Sequence, residues 1–133
     1  MLIAKFDTSN VCENIKAFED EYGFKFPEEY KNFLEKYNGG KTPDTIFNLN
    51  KISSDLTGFF GLGNVDKHYN YEGFRTNTKM NEWLEDNMLP IGENCFGDYI
   101  MLGIGEDNNG KVFFLYHDRE KVYKELAKDF KHL

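Results

Sequence analysis

Between Phe26 and Gly40 the chain reads FPEEYKNFLEKYNGG, and its apolar side chains recur at Tyr30, Phe33, Leu34 and Tyr37. Those positions stand at i, i+3, i+4 and i+7, one stripe along a helix. Pro27 suits the first helical position, where its missing N–H costs nothing. Glu28 and Glu29 complement the positive end of the helix dipole, and Lys36 the negative end. Asn38, Gly39 and Gly40 accept the left-handed conformations that stop a helix. A preceding helix is predicted from Ser9 or Asn10, with Glu13 as a capping partner, through Val11, Ile15, Phe18 and Tyr22 to a stop at Gly23. The two helices form a short αα corner, with Phe24 and Phe26 crossing between them.

After Gly40 the period changes. Thr45–Leu49 and Leu56–Leu62 are short apolar runs with polar or glycine borders and read as strands, the second bent by its glycines. Tyr71, Phe74, Trp83 and Leu84 anchor a mixed stretch in which a helix is predicted over about Lys79–Asp86, with Trp83 packed partly in the core. Leu89, Pro90 and Ile91 open another extended segment. Asp98–Ile104 and Lys111–His117 are apolar on both faces, as central strands are. Asn109-Gly110 between them signals a type I′ turn. Tyr123, Leu126, Ala127 and Phe130 predict a closing helix. Two helices, two strands, a helical segment, three strands and a helix give an α+β domain over residues 1–133. Its sheet is read as antiparallel, with a mixed sheet as the alternative, and helices pack against it.

Composition narrows the function. The 133 residues include 13 Phe and 8 Tyr, so the core is aromatic. Sixteen basic and 23 acidic side chains leave a net charge of −7. That balance disfavours nucleic acid and anionic membranes, and it steers a basic protein toward the domain. The opening residues MLIAKFDTSN hold too few apolar positions for a signal sequence. Cys12, in the first helix, and Cys95, in a turn before a strand, form no CxxC, so they read as reduced thiols of a cytoplasmic protein.

Candidate chemistry is sparse, and neither a metal nor a cofactor is expected. His68, His117 and His132 lie far apart in sequence. His117 stands beside Asp118, but neighbours on a strand point to opposite faces, and a base needs a nucleophile and an orienting group. Gly61-Leu62-Gly63 and Gly103-Ile104-Gly105 lack the third glycine and the helix of a nucleotide loop. Asp107–Gly110 lacks the first and last acidic ligands of a calcium loop. Acidic clusters at Glu19–Glu21, Glu28–Glu29, Glu82–Asp86, Glu106–Asp107 and Asp118–Glu120 read as solvated faces or caps.

The order of these signals resembles the SUKH superfamily, the family of the fungal cell-wall-assembly regulator and of many bacterial toxin-immunity proteins. The resemblance is carried by Ile15, Phe18, Glu19 and Tyr22-Gly23; by Phe26-Pro27, Tyr30, Phe33-Leu34 and Asn38-Gly39-Gly40; by Leu89-Pro90-Ile91-Gly92 and Gly97-Asp98-Tyr99-Ile100; and by Gly110–Phe113 with His117 and Phe130. Gly97 suits a sharp turn there, and Asp98 can bind a nearby loop backbone. The resemblance implies a non-enzymatic, protein-binding domain. Its first expectation is an immunity protein that sequesters a basic nuclease or deaminase toxin. A regulatory scaffold without a toxin is the alternative, and a small hydrolase built on His117 is a third reading. The contact face is expected in the segment between Asn64 and Asn87: Asp66, Tyr69, Tyr71 and Glu72, joined by Glu82, Glu85 and Asp86. Tyrosines would give contact area, and acids would give steering.

Overall fold

Helix α1 (Val11–Tyr22) turns Val11, Ile15 and Phe18 inward and ends at Gly23, whose φ is 73°. The computed structural model describes residues 3–74, 78–117 and 122–130. Glu13 does not cap α1, and Asn10 gives no side-chain cap. The turn before the helix is held instead by Asp7, whose carboxylate accepts the Ser9 N–H at 2.9 Å. Buried Glu19 accepts the Phe26 N–H at 2.8 Å, tying α1 to the segment that leads into α2 (Glu28–Tyr37). Pro27 is extended (φ −55°, ψ 143°), so α2 begins one residue later than its pattern predicts. Asn38 then takes φ 53° and ends the helix.

Among the described residues six strands form one antiparallel sheet in chain order: β1 (Gly40–Leu49), β2 (Ile52–Phe59), β3 (Met88–Glu93), β4 (Tyr99–Gly103), β5 (Val112–Leu115) and β6 (Tyr123–Ala127). Two short 3-10 turns (Lys67–Tyr69 and Tyr71–Phe74) and helix α3 (Thr78–Glu85) connect β2 to β3. The type I′ signature lies at Asn50-Lys51, with φ 47° and 66°, between the paired residues Leu49 and Ile52. At Asn109-Gly110 only the glycine has positive φ, and the loop there is longer, because Asn108 accepts the Gly105 N–H and reshapes it. β2 stops at Phe59, short of the predicted Leu62, because Leu62 turns away to pair with Asn38.

The closing helix is a strand. Phe113, Phe114 and Leu115 of β5 pair with Glu125, Lys124 and Tyr123. A central strand buried on both faces needs a second ladder for its backbone groups, and that demand overrides a three-and-four spacing in so short a segment. Phe130 still reaches the core, its ring 4.9 Å from that of Phe33 and 5.1 Å from that of Tyr30.

Two apolar clusters use the two faces of the sheet. Ile100, Leu102, Val112 and Phe114 join α1, α2 and Met80 of α3 in the larger one, while Met101 and Leu115 meet Trp83 of α3 and Met88 in the smaller. The β1–β2 hairpin folds back over the larger cluster. Phe47 approaches Phe114 at 6.3 Å, and the Asn50 amide at the hairpin tip donates to the Glu125 carbonyl of β6 at 2.8 Å. The result is a strongly curled sheet whose β3–β4 turn projects beside β2.

Candidate functional site

The β3–β4 turn, Asn94–Asp98, carries the densest polar network described. Asn94 is the hub. Its side-chain oxygen accepts the N–H groups of Phe96 and Asp98 at 3.0 and 2.9 Å, an Asx-type arrangement that closes the turn. Its amide donates to Asp98 Oδ2 at 2.9 Å and to Ser54 Oγ on β2 at 3.0 Å. Gly97 supplies the left-handed residue, with φ 84°. Asp98 in turn accepts both the backbone N–H of His117, at 2.8 Å, and hydrogen-bonds its Nδ1 at 2.6 Å, joining the turn to the end of β5. Asp55 on β2 accepts the Cys95 N–H at 3.0 Å. Asn94 and Asp98 are only 5% and 7% exposed, so these bonds form away from bulk water, where an unmade one is costly.

This geometry changes the partner in the catalytic reading of His117. Its carboxylate partner is Asp98, on another strand; Asp118, Glu120 and His132 lie outside the described residues. Among the described residues no hydroxyl or thiol hydrogen-bonds the other ring nitrogen, so no nucleophile is aligned on the pair. Burial opposes ionisation of Asp98, but the bonds from the His117 backbone, Asn94 and the His117 ring outweigh it and hold its pKa below the usual 3.8. Asp98 is therefore a fixed anion that clamps a turn. Cys95 is unsuited to attack. Desolvation against the turn and the adjacent Asp55 carboxylate, 3.4 Å from Sγ, raise its pKa and keep the thiol protonated. Alkylation by iodoacetamide at neutral pH should accordingly be slower at Cys95 in the folded protein than in the denatured chain. A mass-spectrometric time course showing equal or faster labelling in the folded state would contradict this. Among the described residues no three His, Cys, Asp or Glu side chains gather to hold a metal ion, and no helix is long and apolar enough to cross a membrane.

The residues expected to form the contact face do not form one patch. Tyr69 and Tyr71 are buried. The Tyr71 hydroxyl donates to the Pro90 carbonyl at 2.6 Å, and its ring lies 5.0 Å from that of Phe18 and 5.7 Å from that of Phe60. These tyrosines supply core area rather than contact area, a correction to the sequence reading. Asp66 is paired with the Lys41 ammonium at 3.0 Å and accepts the His68 N–H, bonds that lower its pKa and raise that of Lys41. Asp86 accepts the Tyr123 hydroxyl at 2.8 Å, fastening α3 to β6. Glu72 lies on the far side of a cleft shared with Asn14 and Glu21 of α1. Glu82 and Glu85 are exposed along α3. The side chain of Phe74 lies outside the described residues.

Sequence reasoning missed the surface around Asp55. Ile46 and Phe96 are 77% and 72% exposed, the highest values among the described large apolar side chains. Ile46 sits directly opposite Asp55 in the β1–β2 register, and Phe96 follows the residue that Asp55 holds. A groove of about 470 Å³ runs along Thr42–Ile46 and Asp55–Thr57. A second, of about 290 Å³, adjoins it at Thr57 and is lined by His68, Glu93 and Cys95. A phenylalanine within the turn-forming run Asn94–Asp98 was the available signal: it has no place in a strand or helix stripe.

Comparison with known proteins places this arrangement in context. The sequence model described as the SMI1 / KNR4 family (SUKH-1) matches residues 12–133. A similar curated protein is the SPbeta prophage-derived uncharacterized protein YokK of Bacillus subtilis (strain 168). It is 28% identical over 141 aligned positions, which span 92% of this chain and 70% of the relative.

Proposed function

The chain belongs to the SMI1 / KNR4 family (SUKH-1), and from that premise we propose that it is an immunity protein that neutralises a bacterial toxin domain by binding it directly. The observation that carries this reading is the use made of the Asp98–His117 pair. His117 braces the turn network, with its backbone N–H and its ring Nδ1 both on Asp98 Oδ1, and among the described residues no hydroxyl or thiol hydrogen-bonds its Nε2. What the molecule offers to its surroundings is an acidic surface. Glu72, Glu82 and Glu85 are exposed and hold no ion pair among the described residues. A nuclease or deaminase toxin needs a basic surface for its substrate, and an anionic inhibitor associates with such a surface quickly and blocks it. The prophage origin of the relative suits a gene carried beside its partner.

The test begins with the gene's neighbours: a reading frame for a toxin with a basic C-terminal nuclease or deaminase domain is expected beside it, and that domain is co-expressed with this chain. Restored growth and co-purification of the two chains are expected; arrest that persists with both proteins soluble overturns the proposal. The carboxylates away from the turn act by steering. Reversing Glu72 and Glu85 to lysine should slow association at low salt by about tenfold and flatten its salt dependence. On-rates equal to the unmodified protein's under those conditions would remove these residues from the account.

A further inference from the structure

We propose that the partner docks on the rim made by β1, β2 and the β3–β4 turn, with Ile46 and Phe96 as its apolar anchors on either side of Asp55. This inference rests on the protein-binding reading above and assigns it a surface. The first support is the cost of the arrangement. A large apolar side chain left in water gains nothing from folding. Yet Phe96 stands at the tip of a turn fixed by Asn94, Asp98, Ser54, Asp55 and His117 through buried or half-buried bonds. Folding thus fixes the backbone from which an exposed aromatic ring projects. An anchor carried on a preordered backbone loses less entropy on binding than one on a loose loop, and aromatic side chains are enriched at interface hot spots.

The second support is position. Ile46 lies on β1, whose outer edge beyond Thr45 pairs with no strand among the described residues. Ile46 lines the larger groove, the second groove meets it at Thr57, and Phe96 stands between Cys95 and Gly97 of that second groove; concave ground beside projecting apolar groups suits a partner with knobs of its own. The third is charge. Asp44 and Asp55 line the larger groove, while the nearest lysine on β1, Lys41, is occupied by Asp66. Within a chain of net charge −7 this favours a protein with arginine or lysine side chains around an apolar centre, and disfavours a second copy of the same chain.

Docking and steering separate kinetically. Anchor residues govern the lifetime of a complex, whereas peripheral charges govern its formation. The toxin domain used above is immobilised, and binding of the unmodified chain, Phe96→Ala, Ile46→Lys and the Glu72/Glu85 reversal is followed in real time. Each anchor variant should dissociate about 10- to 100-fold faster, with thermal unfolding unchanged because both side chains are exposed. The charge reversal should alter association instead. Failure of the unmodified chain to bind or protect removes the functional reading and this surface together. Full binding with unchanged dissociation of both anchor variants overturns the surface alone. So does a concentration-dependent dimer of the isolated chain, seen by sedimentation and abolished by Phe96→Ala, which would assign the rim to self-association.

Discussion

Asn38→Ala should cost the fold about 4 kcal/mol, from the loss of buried bonds and of a tolerated left-handed residue. Asn38 is 1% exposed and closes α2 at φ 53°. Its amide donates to the carbonyls of Asp7 and Leu62 at 2.8 and 2.7 Å, and its oxygen accepts the Leu62 N–H at 2.9 Å. One side chain thus binds the end of α2 to the N-terminal segment and to the chain leaving β2. Alanine leaves these backbone groups without partners and adds strain at positive φ. The surroundings cannot collapse to compensate. A Cβ on Gly39 would stand 2.6 Å from the Phe60 carbonyl oxygen, and one on Gly61 would overlap the carbonyl of Asn38 itself. Asn38→Gly should recover about 1 kcal/mol of the loss by relieving the conformational part. Urea titration of the three proteins at equal slope measures both effects. A loss under about 1 kcal/mol for the alanine variant would show that the Asn-Gly-Gly corner is a boundary marker and not a brace.

That corner was legible as a helix stop, but its tertiary role was not. A sequence shows that Asn38-Gly39-Gly40 can end a helix; it does not show that Leu62, 24 positions on, returns to the asparagine. The same limit runs through the molecule. Local periods located α1, α2, α3 and the two-faced strands β4 and β5, because burial of an apolar stripe is decided within a few turns of chain. β6 was misread because its pairing with β5, and not its own three-and-four spacing, decides its conformation. The tight hairpin was misplaced because Asn50-Lys51 puts a lysine where glycine is the usual choice, whereas Asn109-Gly110 has the favoured residues but a loop reshaped by Asn108. The candidate site divides in the same way. The Gly97-Asp98 motif and its bond to a loop backbone follow from turn chemistry. The assembly of Ser54, Asp55, Asn94 and His117 around it depends on strand order. The tyrosines were assigned to a surface because nothing local distinguishes an interface tyrosine from one whose hydroxyl finds a buried carbonyl, as Tyr71 does.

Asp98→Ala should destabilise the protein by about 3 kcal/mol near neutral pH, since it strips the acceptor from the His117 N–H, the His117 ring and the Asn94 amide at once. The loss carries a pH signature. Asp98 has its pKa below 3.8 in the folded state, so its charge contributes stability that is complete above the unfolded value and disappears as pH falls through the folded one. The stability gap between the unmodified chain and Asp98→Asn, which keeps the shape and removes the charge, should therefore narrow as the pH is taken down through the carboxyl range into stronger acid. A gap that widens on acidification has the wrong sign and would mean that the carboxyl is bound as the neutral acid. The same substitutions reach the proposed interface without touching it. The Phe96 backbone is held by Asn94, and Asn94 by Asp98, so loosening the turn should speed dissociation of a partner docked on Phe96 even where the variant remains fully folded. Combining Asp98→Asn with Phe96→Ala distinguishes positioning from contact. Once the ring is gone the turn has nothing left to orient, and the double variant should dissociate no faster than Phe96→Ala by itself.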